Sequence, residues 1–390
     1  MSENEENLQK LLLKVEEWCH KWQLVVNKDK SQIVHFRQKN KTRTSSVFNL
    51  DGTCLAIVEK YKYLGIVLDE FIDFNVSTSC LAAAGGRALG AINSKFKCIK
   101  NMGVNTYSKL FESCVMPVLH YCAGVWGLQS HQTLQNIQNR AMRFFLGTHK
   151  LTPNLGMVGD LGWYSLLMFR KLSALRLWNR FIKLSDHRLT KKIFKWDWEQ
   201  CNKNWSAEIK QIFYDIDMNE LFDEMHFCPL KDASDALKED FEFDWSCKVK
   251  SQVKLRTYNT FKTDFGLENY LQLNLERSER SFMAQLRLGI LPLHVETGRF
   301  NNTPLNERIC KLCDLNVVED ETHFILNCSK YIHERKYLFD MVTQENTAFV
   351  KMSGKDKLST LFTNHSRQLA KFIKNSYHLR FNTINVKGKK

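Results

Sequence analysis

From residue 79 to about residue 192 the apolar residues recur at helical spacing, and only Gly103, Pro117, Gly147 and the 156–162 stretch interrupt them. So long a run with so few breakers leaves little room for strands. The whole chain shares this bias: 17 glycines and 5 prolines in 390 residues are too few for the many tight turns of a sandwich or barrel. With 44% of residues hydrophobic, the chain can bury a sizeable core and is not a disordered tail. The expected fold class is mostly α, with a small antiparallel β element near the N-terminus. Ahead of that element, Leu8, Leu11, Leu12, Val15, Trp18, Cys19 and Trp22 form one apolar helical stripe. Ile33, Val34 and Phe36 then read as a short strand. Residues 47–50 and 54–58 flank Asp51-Gly52 as a hairpin, and residues 61–68 read as one further strand.

Charge divides the rest. Residues 140–192 hold eleven basic residues and two acids, whereas residues 197–244 hold fourteen acids and four lysines. The reversal predicts a boundary near residue 195. The segments expected are 1–70, a helix with hairpin strands; 71–195, a basic helical bundle; 196–246, an acidic stretch of loosely packed helices; and 247–390, a helical region with a metal-binding segment at 287–335. The chain is formally +14, which directs it towards polyanions. Arg176, Arg180 and Lys183 fall at i, i+4 and i+7 of an apolar helix and so share a face. Arg140 and Arg143 pair on the helix before, and Arg170 and Lys171 begin the later one. Basic side chains on one helical face suit phosphate contacts, which give affinity without reading sequence. The bland alternative is a solvated face neutralised by the acidic segment. Trp163, Tyr164 and Trp178 offer rings for stacking, although aromatics at this spacing more often build a core.

Twelve cysteines without a secretory signal read as reduced thiols or metal ligands. No apolar run is long enough to span a bilayer, so no membrane partner is expected. Cys310, Cys313, His323 and Cys328 form C-x2-C-x9-H-x4-C. Two thiols on one turn plus a later His and Cys make a tetrahedral set for Zn2+, and four protein ligands leave no open position, so the ion would be structural. Positions 323 and 328 lie about 140° apart on an ideal helix. Either the helix loosens there or His333 competes as a ligand.

Several motifs in fixed order resemble reverse transcriptases of non-LTR retrotransposons. Asn27-Lys28-Asp29-Lys30-Ser31 before an apolar strand looks like the motif that follows the catalytic aspartates in that family. Tyr61-Lys62-Tyr63-Leu64-Gly65-Ile66 with Asp69 is similar to the hairpin that grips the primer. Pro117-Val118-Leu119-His120-Tyr121 with Trp126, then Leu134-Gln135-Asn136-Ile137-Gln138-Asn139-Arg140, then Gly159-Asp160-Leu161-Gly162-Trp163, resemble its thumb and linker. Arg287-Leu288-Gly289 with Gly298-Arg299 and the cysteines resemble its zinc-binding end. The resemblance implies RNA or DNA as partner, a nuclear site of action, Lys30 near the departing pyrophosphate and Gly65 in the primer grip.

The departure from the family is as informative. Such polymerases need paired aspartates for two metal ions, and no Asp-Asp dipeptide occurs in this chain. Mg2+ is not expected to bind productively. The expectation is a C-terminal fragment that binds template or primer without polymerase chemistry, either truncated, expressed on its own or cut from a longer reading frame. The 8–22 stripe, which would cover a palm sheet in the family, is then expected to lose part of its burial. The competing reading is a zinc-stabilised helical protein-interaction module with no nucleic-acid role. Protein partners are unknown.

Overall fold

The computed structural model describes Ser2 and residues 4–387; Met1, Glu3 and 388–390, at the outer ends of the 1–70 and 247–390 segments, lie outside the described residues. The chain is mostly helical with small sheets near the N-terminus, and it divides into two compact units, 1–84 and 85–390. The described residues contain no helix long and apolar enough to cross a membrane.

In the first unit the apolar stripe forms the helix Glu5–Lys21, started by the Asn4 side chain, which accepts from the Asn7 amide. Of its residues only Cys19 is buried. Leu11, Val15 and Trp18, and Trp22 just beyond it, are exposed. Strands Phe48–Leu50 and Thr53–Leu55 pair antiparallel across Asp51-Gly52. Both turn residues have positive φ, the geometry that matches strand twist in a two-residue hairpin. The single strand expected over 61–68 is instead a second hairpin, Lys60–Tyr63 against Ile66–Asp69. It folds at Leu64 (φ 47°) and Gly65 (φ 88°), and a leucine in the left-handed region gives no turn signal in sequence. A two-residue parallel pair joins Ile33–Val34 to Ile57–Val58. Glu70, 5% exposed, receives both Arg37 and Arg43 guanidinium groups at 3.0–3.1 Å and ties the strand ends together.

The helix Asn75–Cys98 leads into the second unit. There, Tyr107, Phe111, Phe145 and Trp163 stack, and Phe96 meets Tyr107 and Phe145 edge-on, as one aromatic core. The interruptions expected at Gly103 and Gly147 are a helix start and a helix end. Pro117 marks an interruption, standing in the first turn of Met116–Leu119 after the π-helical stretch Phe111–Val115, whereas Gly156 does not break its helix: Gly156 and Gly159 lie within Asn154–Leu161. A Cβ on Gly159 would sit 2.4 Å from the Trp245 ring, so close packing, not turning, requires glycine there.

A neighbouring cluster is built from Leu166–Ile182, Leu189–Gln200, Trp205–Asp215 and Leu230–Lys250. The loose packing expected of the acidic stretch is not found. Ile209, Ile212, Phe213 and Phe222 are buried against Trp178. The indole N–H groups of Trp178, Trp198 and Trp205 each donate to a backbone carbonyl, of His226, Phe222 and Gly124 respectively. The acids remain on outer faces, so their number does not loosen the core. The reversal of charge at 195 falls inside the continuous helix Leu189–Gln200.

The last helices close on this unit through a buried ion pair. Arg287, at the end of Arg277–Arg287, forks onto Asp160 with contacts of 3.0 and 2.9 Å, and both side chains are fully buried. Tyr258 and Tyr270 donate to the same carboxylate at 2.9 and 2.8 Å, and Glu268 receives Arg287 at 2.7 Å. Burial pulls the Arg287 guanidinium down, but the Asp160 and Glu268 carboxylates outweigh it and hold it charged. Burial, and then the Asp160 charge, raises both tyrosines well above their usual range. Two glycines make the approach possible. Gly162 (φ 63°) ends the Asp160 helix, where an added Cβ would lie 2.7 Å from the Leu267 amide nitrogen, and at Gly289 (φ 64°) an added Cβ would lie 2.0 Å from the Lys254 carbonyl oxygen. Removing one member of such a pair strands a buried charge. Arg287→Met is therefore expected to cost about 3–5 kcal/mol in denaturant unfolding followed by tryptophan fluorescence; a loss below about 1 kcal/mol would show that the pair is not needed.

Candidate functional site

The four metal-ligand candidates converge. Cys310 follows an antiparallel bridge between Ile309 and Val318, and its amide bonds the Val317 carbonyl at 2.9 Å, which folds 310–317 into a tight knuckle. The angular mismatch between positions 323 and 328 is removed by a π-helical turn, His323–Asn327, in which the Cys328 amide reaches the His323 carbonyl at 2.8 Å. An i→i+5 turn is the loosening that sets residues five apart over one another. His333 is exposed and stands outside the group.

All four ligand atoms lie within 4.8 Å of one another. Cys310 Sγ and Cys328 Sγ are 3.9 Å apart, and Cys313 Sγ is 3.4 Å from His323 Nε2. A tetrahedral zinc with bonds of about 2.3 Å to sulfur and about 2.0–2.1 Å to nitrogen separates its ligands by roughly 3.5–3.8 Å. The donor set therefore fits Zn2+, and separations of at most 4.8 Å need close by only about 1 Å to reach that geometry. Sharing of a hydrogen with Cys328, and then burial, pushes the Cys310 thiol up to about 12, while acceptance from Cys310 lowers Cys328. Three thiols so close need a cation before all can ionise.

The surroundings are built for that charge. Arg335 donates to the Cys328 carbonyl at 2.7 Å and to the Ile325 carbonyl at 2.8 Å. Glu319 lies 3.8 Å from Cys310 Sγ, accepts from the His294 amide at 2.7 Å and pairs with Arg380 of the helix Ser366–Lys387. Phe324 and Ile325 are fully buried beneath the knuckle. Sequence reading missed Glu319, Arg335 and Arg380, because their partners are fixed by tertiary contact and not by spacing.

The basic residues do not come together on one surface. Arg176, Arg180 and Lys183 are exposed on a single face of Leu166–Ile182 and its C-cap. Arg176 and Arg180 form no ion pair with another described residue, and Lys183 lies over the Phe227 ring at 4.8 Å. Arg170 on the same helix is 2% exposed and spends its guanidinium on the Gly127 and Gln129 carbonyls, and burial lowers it to about 10. Lys171 pairs with Asp215 at 2.9 Å. Arg143 donates to Asn154 at 2.6 Å and is lowered by burial, whereas Arg140 is exposed beside Gly86. Trp163 and Trp178 are core residues.

In the first unit Asn27 caps the short turn Lys28–Lys30, and the Lys30 side chain is exposed. The Tyr61 hydroxyl donates to the Lys30 carbonyl at 3.0 Å, so the 27–31 and 61–66 motifs meet. Gly65 stands at the exposed tip of its hairpin.

Part of the chain is similar to two known proteins. It is 27% identical over 139 residues to a probable RNA-directed DNA polymerase from transposon BS of Drosophila melanogaster. It is 26% identical over 131 residues to the RNA-directed DNA polymerase from mobile element jockey of Drosophila funebris. These stretches cover 35% and 34% of this chain but 15% and 14% of the relatives' lengths. No family model and no solved structure matches.

Cys313→Ser is expected to release the metal and expose residues 285–340 to protease, while the 85–190 helices stay folded. Metal content of protein purified without chelator checks this, with one zinc per chain expected. A stoichiometry near zero with the segment still protected would make the cysteines packing residues.

Proposed function

We propose that this chain works as the C-terminal part of a non-LTR retrotransposon reverse transcriptase, where it holds template or primer in the nucleus and carries no polymerase chemistry of its own. The observation that carries this reading is the unpaired face of Arg176, Arg180 and Lys183. Helix Leu166–Ile182 is locked by Trp178 and by Asn179, whose side chain bonds both the amide and carbonyl of Cys228 at 2.8 Å. A rigid helix that leaves its cations free offers phosphate contacts without first breaking ion pairs. The similarity to RNA-directed DNA polymerases supplies the partner class. The absence of an Asp-Asp dipeptide supports binding without catalysis. Arg140, exposed on a different helix, offers a separate phosphate contact; Arg143, Arg170 and Lys171 serve the scaffold. By the same resemblance Lys30 would sit near the departing pyrophosphate and Gly65 in the primer grip, and contact between their motifs supports this. The zinc ion is structural: Cys310, Cys313, His323 and Cys328 would hold it, with no position left for substrate.

A second reading, a zinc-stabilised protein-interaction module, is favoured by the exposed Leu11, Val15 and Trp18 face. One experiment separates the two. Replacing Arg176, Arg180 and Lys183 together by Ala should weaken binding to duplexes of any sequence alike. The slope of log affinity against log salt should flatten by up to roughly 2.7, about 0.9 for each phosphate no longer neutralised. An unchanged slope, or no salt-dependent binding by the parent chain, would favour the interaction module.

A further inference from the structure

Beyond the metal centre the chain turns basic. No Asp or Glu follows Asp356, and the helix Ser366–Lys387 carries Arg367, Lys371, Lys374 and Arg380. Two of these are already engaged, Lys374 by Glu276 at 2.6 Å and Arg380 by Glu319. Arg367 and Lys371 are exposed and one turn apart, so they share a face. Arg367 makes one long bond, 3.5 Å to the Asn274 carbonyl, and the Lys371 ammonium bonds no other described residue. Opposite them the helix Ile332–Glu345 presents Glu334 and Tyr337, the tyrosine 70% exposed. Between the two helices lies an open cavity of about 290 Å³ with buried Phe372 in its lining.

We propose that this groove is a second nucleic-acid site, one that takes an unpaired base of a single strand. The base stacks on Tyr337, and its flanking phosphates meet Arg367 and Lys371. Three features argue for this occupant. The cavity is at the small end of ligand pockets, large enough for a base that has left its stack but not for a paired one. An aromatic ring with a free face beside two cations outside any ion pair is the arrangement that binds single strands. Glu334 then separates two acidic occupants: its carboxylate repels an acidic peptide but accepts from the amino group of adenine, cytosine or guanine. This inference rests on the nucleic-acid reading above and adds to it the strand form and a second location.

The test uses the full chain and two probes, a 12-nucleotide oligo(dA) strand and a 20-base-pair duplex, with binding read by fluorescence anisotropy. Tyr337→Ala should weaken single-strand binding roughly 5- to 100-fold and leave duplex binding within about twofold. Tyr337→Phe, which keeps the ring, should restore it. Lys371→Glu should weaken the single strand and reduce its salt slope by about one phosphate contact. Tyr337→Ala with no effect on the single strand, or with an equal effect on both probes, would overturn the site. So would displacement of oligo(dA) by an equal length of oligo-glutamate. The duplex arm reports on Arg176, Arg180 and Lys183, so failure of that surface shows there and leaves the single-strand arm to decide this groove.

Discussion

The contact between Asp160 and Arg287 fixes the architecture of the second unit. It joins the end of Asn154–Leu161 to the end of Arg277–Arg287, elements 127 residues apart in sequence. Two buried charges would be costly alone. Here every lone pair of the carboxylate is engaged by Arg287, Tyr258 or Tyr270, and Arg287 also lies against the Phe261 ring at 4.6 Å. The pair sets the position from which 290–345 departs, and therefore where the knuckle can form. The metal centre then continues the same logic outward: Glu319 links Cys310 to Arg380, and so to the last helix. Scaffold and metal site form a chain of linked charges.

This economy explains why net charge overstates the free positive surface. Many cations cap the carbonyl ends of helices. Lys191 donates to the Phe181 and Ile182 carbonyls, Arg280 to Phe145, Arg335 to Ile325 and Cys328, and Arg170 to Gly127 and Gln129. Each offsets unsatisfied carbonyls at a helix end and is withheld from any external partner. Among the cations left outside ion pairs, the 176–183 face and the 367–371 pair stand out because each lies on one face of a helix.

That distinction was only partly legible in the sequence. Helical spacing gave the exposed face of Arg176, Arg180 and Lys183, because the neighbouring leucines define which side is inside. It did not remove Arg170, whose partner carbonyls lie some forty residues earlier. The C-x2-C-x9-H-x4-C spacing was enough to group the ligands, and the angular misfit already demanded a loosened turn, which His323–Asn327 supplies. Asp51-Gly52 announced its hairpin in residue composition, whereas at Leu64-Gly65 only the family resemblance implied one, since leucine rarely takes positive φ. Gly159, Asp160, Gly162, Arg287 and Gly289 stood out as motifs. Their union needed the fold, because a buried ion pair leaves no periodic signature. The acidic stretch misled for a related reason: its charges line outer faces while Ile209, Phe213 and Phe222 fill the core.

Lysine acetylation footprinting, with and without a primed template and read by mass spectrometry on the full chain, asks which cations are free to meet nucleic acid. Lys183 and Lys371 should be reactive alone and shielded when the primed template is added. Lys171 and Lys191, held by Asp215 and by helix carbonyls, should react slowly in both states. Lys183 and Lys371 remaining equally reactive at saturating template, or protection falling on Lys171 and Lys191 instead, would contradict the division between scaffold and binding charges.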